Sequence, residues 1–189
     1  VYNIEKNRVV LYMYLPILLL ASVIGFSVSK EYKAVDELDL SKYTGKWYQV
    51  YEDKFDKLFQ GEGVCATAEY AINTNNTVSV FNQQIDPNGE FDNISGIAYY
   101  KEGDCCGYLT VQLDGTPEAP YWVLELGPVF DGYYDYSIVS DNLALSLFVL
   151  ARNVERYYDL YDHNVIKSME NLGFNKKFNT PLPMNQTNC

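Results

Sequence analysis

Four cysteines, one histidine and 18 tyrosines are the residues of this 189-residue chain best suited to react with, ligate or orient a small molecule. His163 stands alone in a stretch with helical spacing and off its apolar face, so it reads as a surface residue rather than a general base. No histidine pair, His-Glu-x-x-His run or zinc-finger cysteine spacing is present, so neither a metal nor a cofactor is expected. The four cysteines allow three pairings. Cys105 and Cys106 are adjacent and are read as an oxidised vicinal pair, with free thiols or a bridge between molecules left open. Most tyrosines suit half-buried strand positions. The remainder would line a pocket with rings that carry hydroxyls.

The formal charge of -11 leaves no basic stripe to neutralise phosphates, which excludes nucleic acid as a partner and disfavours anionic membranes. With 48% hydrophobic residues, the chain can bury one sizeable core. Residues 1–29 read as a signal peptide. Lys6 and Arg8 precede an apolar run from Val9 to Phe26, and Ser27-Val28-Ser29 offers a cleavage site before Lys30; a signal anchor is the alternative. The mature domain is then 30–189, secreted. Sequons at Asn75, Asn93 and Asn185 agree with that route.

The elements that must position these residues are strands. Turn signals recur through the middle of the chain, and the expected strands run roughly 45–53, 64–73, 77–86, 93–101, 107–114, 120–127, 133–140 and 145–152. Asp86-Pro87-Asn88-Gly89 is a hairpin turn. Over roughly 155–172 the period changes: Tyr158, Tyr161, Val165, Met169 and Leu172 share one helical face, with Gly173 as the stop. The strand rhythm is that of an antiparallel barrel or sandwich; of the two, the expected fold is all-β, an eight-stranded antiparallel up-and-down barrel with one C-terminal α-helix packed outside.

The motifs carry a resemblance. Tyr43-Thr44-Gly45-Lys46-Trp47-Tyr48-Gln49-Val50, Ala68-Glu69-Tyr70, Val78-Ser79-Val80-Phe81-Asn82-Gln83, Ala119-Pro120-Tyr121-Trp122-Val123-Leu124 and Phe148-Val149-Leu150-Ala151-Arg152-Asn153 occur in the order found in lipocalins. The chain resembles that family, and within it the apolipoprotein D and bacterial lipocalin branch, from about Val35 to Cys189. The middle motif departs: Phe130-Asp131-Gly132-Tyr133-Tyr134-Asp135-Tyr136 stands where the family usually has Thr-Asp-Tyr.

The resemblance implies that Gly45, Trp47 and Arg152 close the base of the barrel, with the guanidinium stacked on the indole. It also implies a Cys65–Cys189 bridge; the family's second bridge has no counterpart here. It places Tyr70, Asn82 and Trp122 inside the cup. Alternation along the strands adds Ala68, Val80 and Leu124, and on alternation alone Tyr100 and Tyr136. The expected function is secreted binding and transport of a small hydrophobic ligand such as a fatty acid, retinoid, sterol or tetrapyrrole, without catalysis. Two alternatives stand beside it. One is a lipocalin-type isomerase using Cys65 as a barrel thiol. The other is a protein-interaction module with a vestigial cavity, its open-end loops (Tyr51, and Phe55 to Phe59) touching a partner or a lipid surface.

Overall fold

A computed structural model of the protein describes residues 32–189; the expected signal peptide and its cleavage point lie outside the described residues. Eleven strands and four helices follow in order: α1 Leu40–Tyr43, β1 Gly45–Glu52, α2 Lys54–Gln60, β2 Val64–Ile72, β3 Val78–Ile85, β4 Phe91–Tyr99, β5 Tyr108–Leu113, β6 Ala119–Leu126, β7 Val129–Phe130, β8 Tyr133–Tyr134, β9 Tyr136–Ser140, β10 Leu147–Ala151, α3 Val154–Leu160, α4 Asp162–Leu172 and β11 Leu182–Pro183. Strands β1 to β6, β9 and β10 pair antiparallel with their neighbours, and β10 returns to β1, so eight strands close a barrel. Closure removes the exposed edges that an open sheet would leave.

Three expectations change in detail. The seventh strand, expected over 133–140, breaks at Asp135. That residue leaves the ladder: its N–H bonds the Pro128 carbonyl, its carbonyl takes the Arg152 N–H, and its buried carboxylate grips Arg156 at 2.5 and 2.7 Å. The single outer helix is two, α3 and α4, separated at Tyr161 (φ -118°, ψ -31°). Tyr161 tilts its ring onto Tyr136 at 5.2 Å. The Asn153 side chain caps α3 by accepting the Arg156 N–H, and α4 ends at Gly173, whose φ of +100° is strained for any residue with a Cβ. Two further helices, α1 and α2, lie in segments where no helix was expected.

Closure makes two cores from one sheet. The inner cluster fills the lumen and includes Trp47, Tyr70, Val80, Leu109, Val123 and Leu150. The outer cluster packs Ile138, Leu147, Val149 and Ala151 against Tyr157, Val165, Met169 and Phe174 from the helical side. β-Bulges shift the register between Gln49 and Tyr51 and between Val123 and Glu125, so each of these strands changes face partway along its length.

The C-terminal tail repairs a gap. β1 and β2 pair only from Gly45↔Tyr70 to Tyr48↔Thr67. Beyond that point β11 pairs with β1, the Asn185 carbonyl accepts the Cys65 N–H, and the Gln186 amide donates to Gln49 O (2.8 Å) and Ala66 O (2.7 Å). Cys65 is disulfide-bonded to Cys189, 124 residues away. Closing so long a loop stabilises by about 4–5 kcal/mol in the chain-entropy account.

In the outer cluster the Tyr157 hydroxyl is buried without a hydrogen-bond partner among the described residues. Tyr157→Phe should therefore raise stability by about 1 kcal/mol, measured by denaturant unfolding.

Candidate functional site

One end of the barrel is sealed by Trp47 and Arg152. The indole is fully buried, and the Arg152 guanidinium lies 3.7 Å from its ring centroid. The guanidinium also donates to Thr44 O (2.7 Å), Lys46 O (2.8 Å), Lys42 O (3.1 Å) and Tyr134 O (3.2 Å). The indole N–H donates to Tyr43 O at 2.8 Å. Gly45 makes this approach possible: its φ is +89°, and a Cβ there would sit 3.3 Å from the Arg152 Nη1. Burial pulls the Arg152 pKa down to about 10, which leaves it cationic at neutral pH. The preceding segment runs beneath, with Val35 bonded through its backbone to Val123 and Gly107.

Above this floor three phenols meet. Tyr43 stacks on Tyr70 with centroids 5.7 Å apart, and Tyr70 meets Tyr121 edge-on at 6.2 Å. Their hydroxyls form one chain: Tyr43 to Tyr121 at 2.8 Å, Tyr70 to Tyr121 at 3.1 Å, and Tyr43 to Ser137 Oγ at 3.0 Å. Burial raises all three phenol pKa values, that of Tyr43 to about 12, so they act as neutral donors and acceptors at any physiological pH. The cavity beside them, walled by Leu38, Leu40, Val78 and Leu109, encloses about 20 Å³, room for one water. A larger, open dish of about 470 Å³ lies elsewhere, at Asn75, Asn76, Thr77, Ile97, Tyr99 and Tyr100. Ile97 pairs with Ser79, on the face opposite Val78 and Val80, so this dish is outer surface and not the lumen.

The other end is polar. α2 is tied across it by Gln60, whose side chain exchanges bonds with the Gln49 side chain (3.2 and 3.4 Å) and whose carbonyl accepts from the Gln84 amide at 2.5 Å. Gln49 pairs with Leu150 and Gln84 lies two residues beyond Asn82, so both amides are on the lumen face. Glu52, past the β1 bulge, is 3% exposed, and its Oε2 has no hydrogen-bond partner among the described residues. Burial pushes its carboxyl up to about 7, against a smaller downward pull from Lys57.

The strand pairing distributes the sequence-predicted residues over both faces. Ala68, Tyr70 and Val80 are in the lumen cluster, and Asn82 shares their face opposite Ala68, with its Oδ1 buried and without a hydrogen-bond partner among the described residues. Tyr100 packs partly against that cluster, but its hydroxyl donates to the Cys106 carbonyl at 2.9 Å. Trp122, Leu124 and Tyr136 belong to the outer cluster, which corrects their expected place in the cup. Leu109 pairs with Tyr121 and Val123 with Val139, so the odd positions of β6 face inward, and only after the bulge does Leu126 turn in. Tyr136 instead donates its hydroxyl to Glu125 at 2.9 Å. Tyr51, expected on an exposed loop, is a β1 residue 9% exposed that donates to Asp162 at 2.8 Å; Phe55, on α2, is 36% exposed.

Tyr43, Tyr121, Ser137, Gln49, Gln60, Gln84 and Glu52 were not anticipated. Tyr121 is adjacent to Trp122, and choosing the opposite parity would have found it. His163 is exposed on α4, and the sequon asparagines 75, 93 and 185 are exposed as well. Cys105 and Cys106 form a disulfide.

These features define a barrel sealed at one end and amide-latched at the other. The chain matches the Lipocalin-like domain over residues 38–182 and belongs to that family. It is 34% identical over 127 residues to outer membrane lipoprotein Blc of Vibrio cholerae, covering 66% of this chain and 71% of that one. It is 37% identical over 92 residues to apolipoprotein D of Cavia porcellus, covering 47% of this chain and 46% of that protein. Among solved structures, lobster apocrustacyanin A1 superposes with a TM-score of 0.56 at 20% identity, over 77% of this chain and 78% of the other. The chain thus spans about half of the apolipoprotein D length and somewhat over two thirds of the bacterial lipoprotein.

Two measurements check this site. Arg152→Ala strips the indole of its cation and takes one donor from each of four carbonyls, and should cost roughly 3 kcal/mol in unfolding free energy. Glu52 has a folded pKa above its usual 4.5, so its contribution is fully present below about pH 4.5 and is lost as the pH rises through about 7. The melting temperature of Glu52→Gln relative to the parent should therefore climb between pH 5 and about 7.5 and level off above that.

Proposed function

We propose that this protein is a secreted carrier of a small hydrophobic molecule held in the barrel lumen. One observation carries the reading: a lumen walled by aromatic and aliphatic side chains is sealed at the Trp47 end and crossed at the other by a short helix held through one glutamine. Apolar burial at about 25 cal/mol per Å² makes micromolar affinity reachable for a ligand burying some hundreds of Å². The floor holds room for one water, so a ligand enters from the α2 end and takes its space by releasing Gln60 and rotating the phenols. Secretion is supported by the leader-like residues 1–29, by the Cys65–Cys189 bridge and by the exposed sequon asparagines, which are proposed glycosylation sites.

A second reading, a protein-interaction module, is favoured by the packing of Tyr43, Tyr70 and Tyr121 across the lower lumen. An isomerase built on a barrel thiol is disfavoured, because Cys65 is bonded to Cys189.

The two tryptophans separate these readings. Trp47 is in the lumen cluster and Trp122 in the outer one, so Trp122→Phe leaves Trp47 as the reporter. Titrating that variant with a retinoid, a sterol, a fatty acid and a tetrapyrrole should change Trp47 emission saturably for at least one of them, and Tyr70→Ala should shift that affinity at least severalfold. Unchanged emission, with no heat of binding in the parent protein, would leave the interaction module as the better reading.

A further inference from the structure

The lumen's polar inventory is one-sided. The paired, inward-facing positions run in rings around the barrel: Trp47, Ala68, Asn82 and Ile94 in one, and Gln49, Leu150, Ser137 and Leu126 in another. Followed through all eight strands, this face carries Glu52 and Asp92 but no lysine and no arginine. Arg152 is committed to the carbonyls beneath the floor, and Lys57 of α2 is bridged to Glu62 at 3.7 Å. Two acceptors on the lumen face, Glu52 Oε2 and Asn82 Oδ1, are buried without hydrogen-bond partners among the described residues. An unpaired buried acceptor is costly, and a carboxylate most of all, unless a donor arrives to meet it.

We propose that this lumen selects an amine-ended amphiphile, its ammonium donating to Glu52 and its apolar body lying along the lumen wall, over a carboxylate-ended lipid. The proposal rests on the carrier reading and narrows its ligand. A fatty-acid carboxylate placed under α2 would meet Glu52 with no cation on the wall to offset the repulsion. An ammonium there forms a charge-assisted bond in a water-poor site. A neutral alcohol also donates, but without charge, and should fall between the two. Asn82, deeper on β3, is placed to accept from a second donor on the ligand body. The raised proton affinity of Glu52 agrees with a carboxylate whose burial outweighs the pull of Lys57, with Asp53 and Glu62 adding to the upward push and Lys57 itself bridged to Glu62.

The test is calorimetric titration of the full chain at pH 8 with decylamine, decanol and decanoate, all below their aggregation limits. High salt in the buffer screens attraction to the acidic surface. Decylamine should bind tightest, at least tenfold over decanoate, with decanol between them. Glu52→Gln should bring amine and acid within about threefold, while Asn82→Leu should weaken the alcohol and the amine together and keep their order. Glu52→Gln removes a buried unpaired charge, so its unchanged or higher melting temperature at pH 8 shows that a lost preference is not lost folding. Equal binding of all three ligands, decanoate binding tightest, or an amine preference untouched in folded Glu52→Gln overturns the amine assignment and leaves the carrier reading standing. If none of the three binds, and no member of the broader lipid panel does, both fall.

Discussion

The contact between Arg152 and Trp47 is the constraint from which the rest of the barrel follows. A guanidinium has five donors in a flat fork, and here it meets four backbone carbonyls from Lys42, Thr44, Lys46 and Tyr134 while covering the ring with its face. Those carbonyls belong to α1, its junction with β1, β1 itself and β8, and Arg152 follows β10. One side chain therefore joins the first and last barrel strands at the end where the sheet must close. A lysine has neither the fork nor the flat face to do this. The closure has a second consequence: the lower lumen, cut off from solvent, becomes dry enough that its phenols must satisfy one another, which they do through the Tyr43–Tyr121–Tyr70 chain and Ser137.

Where β1, β6, β9 and β10 pass under the helices the barrel wall is apolar on both faces, and this makes the bulges decisive. Between Gln49 and Tyr51 the extra residue sends Val50 and Tyr51 outward to the helices and returns Glu52 to the lumen. Between Val123 and Glu125 it holds Leu124 outward beside Trp122 and turns Leu126 in. The outer helices cover the face so created, and their break at Tyr161 lets α3 deliver Tyr157 and α4 deliver Val165 and Met169 to one cluster.

Polarity changes along the barrel axis. Near the floor the groups are ring hydroxyls, fully paired; near α2 they are amides and a carboxylate, partly unpaired. A fully satisfied network is rigid, whereas Gln60 holds α2 through bonds that a ligand's own donors can replace. Rigidity at the sealed end and exchangeable bonds at the other are what a container that fills from one side requires.

Much of this was legible in the amino-acid order alone. The turns, the outer helical face, Gly173 and the eight-strand count are set by local chemistry, whether a hairpin turn, a glycine's positive φ or a 3.6-residue period, whereas the Gly45-Lys46-Trp47 and Leu150-Ala151-Arg152 segments were read through family resemblance. Pairing Cys65 with Cys189 came from resemblance and appears in the structure as a bond. The inward set of β6 was not legible: Tyr121, Trp122, Val123 and Leu124 are all apolar or aromatic, so alternation assigns two equally good faces, and the pairing with β5 and β9 chooses between them. Nor could spacing bring Gln60 to Gln49 and Gln84, or leave Glu52 without a partner, since those facts depend on how three strands and a helix converge. Local propensity and periodicity determined the run of strands and the outer helical face, and family resemblance indicated that they form a barrel and where it closes. Only the tertiary structure, through register and long-range hydrogen bonding, decided what faces its interior.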